Sequence, residues 1–346
     1  MSAQTPKIIV LITGYIGGSV LSGLLNLPNA LAQFDFRAIV RDPGKAQRLT
    51  DEFGVKGIVG SHSDQELMSK EAAEADVVLA MANCDDVDAA EGILKGLKKR
   101  YEATGKAPVL IHTSGTGVLC DPSDKERNVI WNDEDVAQLN TVLPNAVHRP
   151  TEVLSLAADR EGYVRTFIIS PSTVYASTSN ALVQAGISNS RTPLYKYFVP
   201  IAIARGSGVL IGTENSVWPN VSIDEVTELY ILLFRAIVDG SKDIPHGLEG
   251  YFTLGSDEYK WKDVFGAISQ ALFDCGKLDR PEPTNCSREE FQSYFGPARG
   301  PLYDMIASNV RVLSNRAKKL GWDPRKTTKD LMETIGDEVL AVVRSA

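Results

Sequence analysis

The 346-residue sequence predicts an α/β chain built on a doubly wound parallel sheet, followed by a smaller C-terminal α/β lobe. Three observations carry this. The first half alternates short apolar runs with longer stretches of helical spacing. The short runs are apolar throughout, as expected of strands buried on both faces. The links between them are long enough for helices, and right-handed crossovers then make neighbouring strands parallel.

The elements follow in order. Residues 7–12 form the first strand, and 20–27 an apolar helix that stops at Pro28. Residues 36–40 are a second strand, and 42–53 a helix with Pro43 in its first turn. A short strand at 57–59 precedes a polar helix at 64–75. Residues 76–81 and 109–112 are further strands, with helical spacing over 85–102 between them. The second half is less regular. It shows a strand at 165–169, a loop carrying Trp218 and Pro219, and helices at 223–238, 261–273 and 328–343, with 280–287 loop-like.

Composition narrows the function. A net charge of −8 argues against a general nucleic-acid binder, which needs a basic surface. The local run Lys95, Lys98, Lys99 and Arg100 reads as a solvated helix C-terminus. Cys84, Cys120, Cys275 and Cys286 have neither zinc nor redox-motif spacing, and the four histidines show no metal-ligand pattern, so no metal is expected. The N-terminal residues lack a signal-peptide pattern and no apolar run reaches membrane-spanning length, which predicts a cytoplasmic protein without membrane partners.

In a doubly wound sheet the ligand crevice lies beyond the C-terminal strand ends. That places 13–18, Arg41, 60–64, 81–83 and 113–117 around it. The first strand runs into Thr13-Gly14-Tyr15-Ile16-Gly17-Gly18. Glycines there let a backbone approach a pyrophosphate, and the following helix N-terminus favours its charge. Gly14, Tyr15, Ile16 and Gly17 are therefore candidate cofactor contacts, with Gly18 beside them. An arginine ending strand two accommodates a 2′-phosphate, so Arg41 favours NADP, while Asp42 keeps NAD open.

These segments resemble the extended or atypical (NmrA-like) branch of the short-chain dehydrogenase/reductase superfamily, including the NAD-dependent epimerase/dehydratase type. The resemblance continues through Asp76-Val77-Val78 with Met81-Ala82-Asn83, and through Ile111-His112-Thr113-Ser114-Gly115-Thr116. It extends to Ser170-Pro171-Ser172-Thr173-Val174-Tyr175, Pro219 to Val226, and Leu320-Gly321-Trp322-Asp323-Pro324. It implies a Rossmann-type domain over 1–180, with 208–242 returning to it, and a substrate lobe from 181–207 and 243–346. It further implies Ala82, Asn83, Pro171 and Thr173 beside the cofactor, Ser114 as a catalytic hydroxyl, and Thr116, Tyr175 and Trp218 around a small-molecule substrate.

Two departures matter. Three residues of the family's T-G-x-x-G-x-x-G are absent, so the turn has re-formed, has lost cofactor binding, or reflects a deletion in the sequence. A shorter turn must either fray the strand or start the helix earlier. The family's Y-x-x-x-K pair is also absent, since none of the eleven tyrosines has lysine four residues on. By chain order its place falls near His148, which can exchange protons at neutral pH. Glu152, four residues later, would then orient it or raise its pKa if the segment is helical, with Pro150 tolerated only in the first turn. The alternative is a histidine satisfied at the surface before a helix. Ser114 has its own alternative, as a cap of the next turn.

The leading expectation is an NADP(H)-preferring oxidoreductase or epimerase-like enzyme acting on a carbonyl or alcohol of a small molecule or sugar nucleotide. Two others stay open: a non-catalytic NmrA-like dinucleotide sensor that binds partners, and a redox-neutral isomerase or lyase. Monomer and homodimer both stay open.

Overall fold

The computed structural model describes residues 6–11, 14–121, 128–212, 216–240, 244–296 and 300–345. Ile12 and Thr13, at the end of the first predicted strand and the start of the glycine turn, lie outside them, as do 213–215 and 241–242 of the segment expected to return to the first domain.

The first half reads β1 (Lys7–Leu11), α1 (Tyr15–Leu25), α2 (Ala30–Gln33), β2 (Asp35–Val40), α3 (Pro43–Phe53), β3 (Lys56–Val59), α4 (Gln65–Ala72), β4 (Val77–Ala80), α5 (Val87–Thr104) and β5 (Val109–Thr113). Then come β6 (Ile130–Asn132), α6 (Val136–Leu139), α7 (Arg149–Arg160), β7 (Arg165–Pro171), β8 (Thr173–Tyr175), α8 (Ala181–Gln184) and α9 (Tyr195–Arg205). The rest comprises β9 (Val209–Leu210), β10 (Val217–Ser222), α10 (Ile223–Val238), β11 (Tyr251–Leu254), β12 (Asp257–Lys260), α11 (Trp261–Asp274), β13 (Thr284–Asn285), α12 (Arg288–Phe295), α13 (Gly300–Ile306), β14 (Arg311–Leu313), α14 (Asn315–Lys319) and α15 (Thr328–Ser345).

Seven strands form one parallel sheet in the order β11-β7-β5-β4-β1-β2-β3. The expected α/β fold with its doubly wound parallel sheet is therefore present. Alternate residues of each strand serve opposite faces. Ala38, Val40, Val77, Leu79, Val109 and Ile111 pack with Val20, Leu21, Leu24, Leu229 and Leu233 of α1 and α10. Ile39, Val78 and Leu110 pack with Met68, Ile93, Leu97 and Ala158 of α4, α5 and α7 on the other face. Two apolar faces per strand explain why the sequence shows continuous runs instead of alternation.

A separate cluster joins Phe198, Trp218, Trp261, Phe265, Phe291, Ile306 and Val339. It belongs to the lobe made by α9, α11, α13, α15 and the three-stranded sheet β12-β10-β8. The segment holding Trp218 and Pro219 is strand β10, where the sequence predicts a loop. Proline argues against a strand because it donates no ladder hydrogen bond. Here β8 pairs only with Asn220–Ser222, so Pro219 sits where β10 has a partner on one side alone. A second difference is β11. Residues 251–254 join the large sheet beside β7, although the sequence assigns 243–346 to the lobe.

Candidate functional site

The chain leaves β1 and enters α1 at Tyr15, with Gly14 as the extended N-cap residue and Gly17 and Gly18 buried inside the first turns. The shortened turn has thus started the helix earlier. Among the described residues no side chain caps α1, and Gly18 N donates to Gly14 O at 3.0 Å. A Cβ built on Gly14 would meet nothing within 4 Å, so the space on that side of the helix start is open. First-turn amides, which have no intrahelical partner, plus the helix dipole suit a pyrophosphate. The residues present therefore fit a dinucleotide here. Arg41 is exposed beyond β2, while Asp42 is engaged as the N-cap of α3, accepting from Lys45 N at 2.8 Å. Ala82 and Asn83 are exposed beyond β4 and border a void of about 30 Å³ with His62, Cys84 and Asp86.

A larger cavity of about 280 Å³ opens at the C-terminal ends of β1, β5 and β7. Tyr15, Ile16, Gly115, Thr116, His148, Pro171 and Thr173 line its sheet side, and Trp218 its lobe side. Tyr15 is tied there by its hydroxyl, which donates to the carbonyls of Tyr175, at 2.9 Å, and Ala176. Thr173 shares a hydroxyl contact of 2.8 Å with Tyr259. The Trp218 indole N–H donates to Ser308 O at 2.8 Å, which leaves its carbon face for the cavity.

His148 is the N-cap of α7 and adopts a left-handed backbone, φ 67°, unusual for a residue with a side chain. Pro150 occupies the first turn, where it costs the helix nothing. The imidazole Nδ1 lies 2.7 Å from Asp85 Oδ1 and 3.1 Å from Cys84 Sγ. The same Asp85 oxygen accepts from His148 N at 3.1 Å. Thr151 Oγ1 donates to Cys84 O at 2.6 Å and so binds the β4–α5 loop to α7. The opposite edge of the ring faces Gly115: a Cβ there would stand 3.2 Å from His148 Nε2. Glycine at 115 is what lets the ring approach this closely. Burial by itself pushes the imidazolium down, but its bonds to Asp85 and Cys84 outweigh this and raise it to about 10. The same hydrogen bond holds the Asp85 carboxyl below its ordinary range. Burial, with the nearby His148 charge, pushes His112 down to about 4.

Ser114 and Glu152 differ from expectation. Ser114 Oγ donates to Glu152 Oε1 at 2.6 Å and is absent from the cavity lining. Glu152 is fully buried, pairs with Arg149 at 2.9 Å, and accepts from Tyr251 at 2.9 Å. The expected link from Glu152 to His148 fails because His148 precedes the helix in a left-handed conformation, outside the i,i+4 repeat. Asp85 holds the ring instead. Tyr175 is also off this cavity, since its hydroxyl donates to Thr327 O at 3.1 Å beside α15. Sequence reasoning missed Asp85 and Cys84. The signal was their position just past Met81-Ala82-Asn83, on a crevice segment. The donor atoms of Cys84, Asp85 and His148 all lie within 4.8 Å of one another, a grouping that sequence spacing does not show.

The match to solved structures spans almost the whole chain. UDP-glucose 4-epimerase of Thermotoga maritima, solved with UDP-glucose, is similar with TM-score 0.61 and 16% identity over 97% of this chain and 99% of that one. dTDP-glucose 4,6-dehydratase of Bacillus anthracis, solved with NAD, gives TM-score 0.63 and 13% identity over 96% of each chain. The chain has the fold of the nucleotide-sugar epimerases and dehydratases. The resemblance to extended short-chain dehydrogenase/reductases is thereby borne out in the fold. UDP-glucose 4-epimerase of Bifidobacterium longum, solved with NAD+ and UDP, adds TM-score 0.62 at 15% identity over 95% of this chain and 97% of that one. By sequence, the chain is 25% identical over 335 residues to the protein named Oxidase ucsJ of Acremonium sp, covering 90% of both. No family model matches. No helix among the described residues is long and apolar enough to cross a membrane.

Proposed function

We propose that this chain is an NADP(H)-preferring oxidoreductase acting on a carbonyl or alcohol, with His148 as the proton-transfer group and Asp85 as the residue that positions it. The observation that carries the reading is the pairing of His148 Nδ1 with Asp85, 2.7 Å away, on a ring whose other edge borders the cavity. Asp85 fixes the ring orientation and keeps the proton on Nδ1, so Nε2 is the atom presented to a substrate oxygen. A group raised to about 10 is protonated at neutral pH, which suits donation to a developing alkoxide. Thr116, a buried cavity-lining residue, adds a hydroxyl with no partner among the described residues. Bound along the strand ends, the dinucleotide would supply or accept the hydride. The NAD seen with the similar structures supports this cofactor class, as does the oxidase name of the sequence relative. The exposed Arg41 and the engaged Asp42 support NADP over NAD.

Calorimetric titration of the purified protein with NADPH and NADH tests the reading. Micromolar binding with NADPH tighter is the expected result, and absence of binding to both overturns it. The redox-neutral and sensor readings gain no support from a specific observation.

A further inference from the structure

The cavity is divided by chemistry. Its sheet side carries His148 and two buried hydroxyls, Thr116 Oγ1 and Ser172 Oγ, that have no partner among the described residues. Its lobe side is Leu194, Tyr197, Trp218, Trp261, Leu302 and Ile306. Trp218 and Trp261 meet edge to face, with centroids 6.2 Å apart, and form a rigid aromatic wall. Among the described lining residues His148 is the one cationic side chain, and Asp85 neutralises it.

We infer that the substrate is a neutral molecule with one carbonyl or carbinol oxygen on an apolar, ring-bearing body, and that this site takes no nucleotide sugar. This rests on the oxidoreductase reading above for the reacting oxygen, and goes beyond it in naming the body. The sheet side offers His148 and the two hydroxyls to an oxygen, and the lobe side adds only neutral polar groups, among them the Trp261 indole N–H, which has no partner among the described residues. The remainder of the ligand meets a lining that is mainly aromatic and aliphatic carbon and carries no charge, where apolar surface is released from water. A diphosphate in the same space would be stripped of water against that wall without a matching cation, an unfavourable transfer.

The test compares acetophenone, 4-acetylbenzoate and UDP-glucose by ligand-observed NMR titration of the full chain, with and without NADPH. The first probe is a neutral ketone on an apolar ring, the second adds a carboxylate to that ring, and the third is a diphosphate sugar. Acetophenone is expected to bind about tenfold tighter or more than either charged probe, because only it leaves the lobe wall free of buried charge. Leu302→Lys, on a partly exposed position, should reverse the order between acetophenone and 4-acetylbenzoate. Equal or tighter binding of UDP-glucose or 4-acetylbenzoate by the unaltered chain overturns the inference, as does failure of acetophenone to bind. Acetophenone binding with the expected preference but without NADPH oxidation, followed by absorbance, leaves the neutral apolar ligand class standing and counts against the oxidoreductase reading, so the two failures are distinguishable.

Discussion

His148 and Asp85 lie 63 positions apart in sequence, yet Nδ1 and Oδ1 are 2.7 Å apart because the β4–α5 loop and the start of α7 meet above β5. The left-handed backbone at His148 is what turns the ring toward that loop. Strained positions of this kind persist where the surroundings fix them, often at ligand-binding sites.

Replacement of His148 by glutamine is expected to lower kcat by ~10²–10⁴-fold, the range for loss of a general acid. Asp85→Asn should lower kcat and move the alkaline limb of the rate profile. In the unaltered protein carbonyl reduction is expected to decline as pH rises through about 10, where His148 would lose its proton. Without Asp85 that decline shifts down toward an ordinary histidine value of ~6.5. The stability linkage has the same sign. A raised folded-state value means the contribution is complete below the unfolded pKa and is lost as pH rises through the folded one. Rate profiles and urea melts of both variants check this; an unmoved alkaline limb in Asp85→Asn defeats the pairing.

Ser114 and Glu152 should behave as structural residues. Glu152→Ala leaves the buried Arg149 guanidinium uncompensated and is expected to cost about 3–5 kcal/mol of stability. Ser114→Ala loses one bond to a charged acceptor, about 1.5–3 kcal/mol. The kcat of folded Ser114→Ala should stay close to that of the unaltered protein. A thousandfold loss there, taken as about 4 kcal/mol in the barrier, would restore the catalytic role expected from sequence.

Gly14 separates stability from binding. Its φ of −70° and the open space around its Cβ direction make Gly14→Ala tolerable, with a stability change within about 0.5 kcal/mol. The added methyl would occupy the open space on that side of the helix start, so NADPH affinity should fall about tenfold or more. Thermal melts and calorimetry on one sample report both quantities. An unchanged affinity places the pyrophosphate elsewhere.

Arg41→Ala is expected to weaken NADPH by about tenfold and NADH much less, because the guanidinium would meet the 2′-phosphate alone. Equal losses for both dinucleotides would count against NADP preference.

Much of the first half was legible because its information is local. Runs such as 76–81 and 109–112 are apolar on both faces, and helices α3, α4 and α5 carry Asp42, Asp64 and Asp86 at their N-caps. Spacing and capping therefore reach the right elements without tertiary knowledge. The second half was harder, since β10 contains Pro219 and β11 joins the large sheet from far along the chain. The site divides in the same way. The sequence by itself determined the sheet, its crevice and the short glycine turn, and it singled out His148 as a candidate. Tertiary structure decided what His148 touches. Glu152 is near in sequence but turns into the core toward Ser114, whereas Asp85 is far in sequence and adjacent in space. Side-chain partners across a parallel sheet are set by crossover packing and by one residue's φ, and neither is written in local spacing.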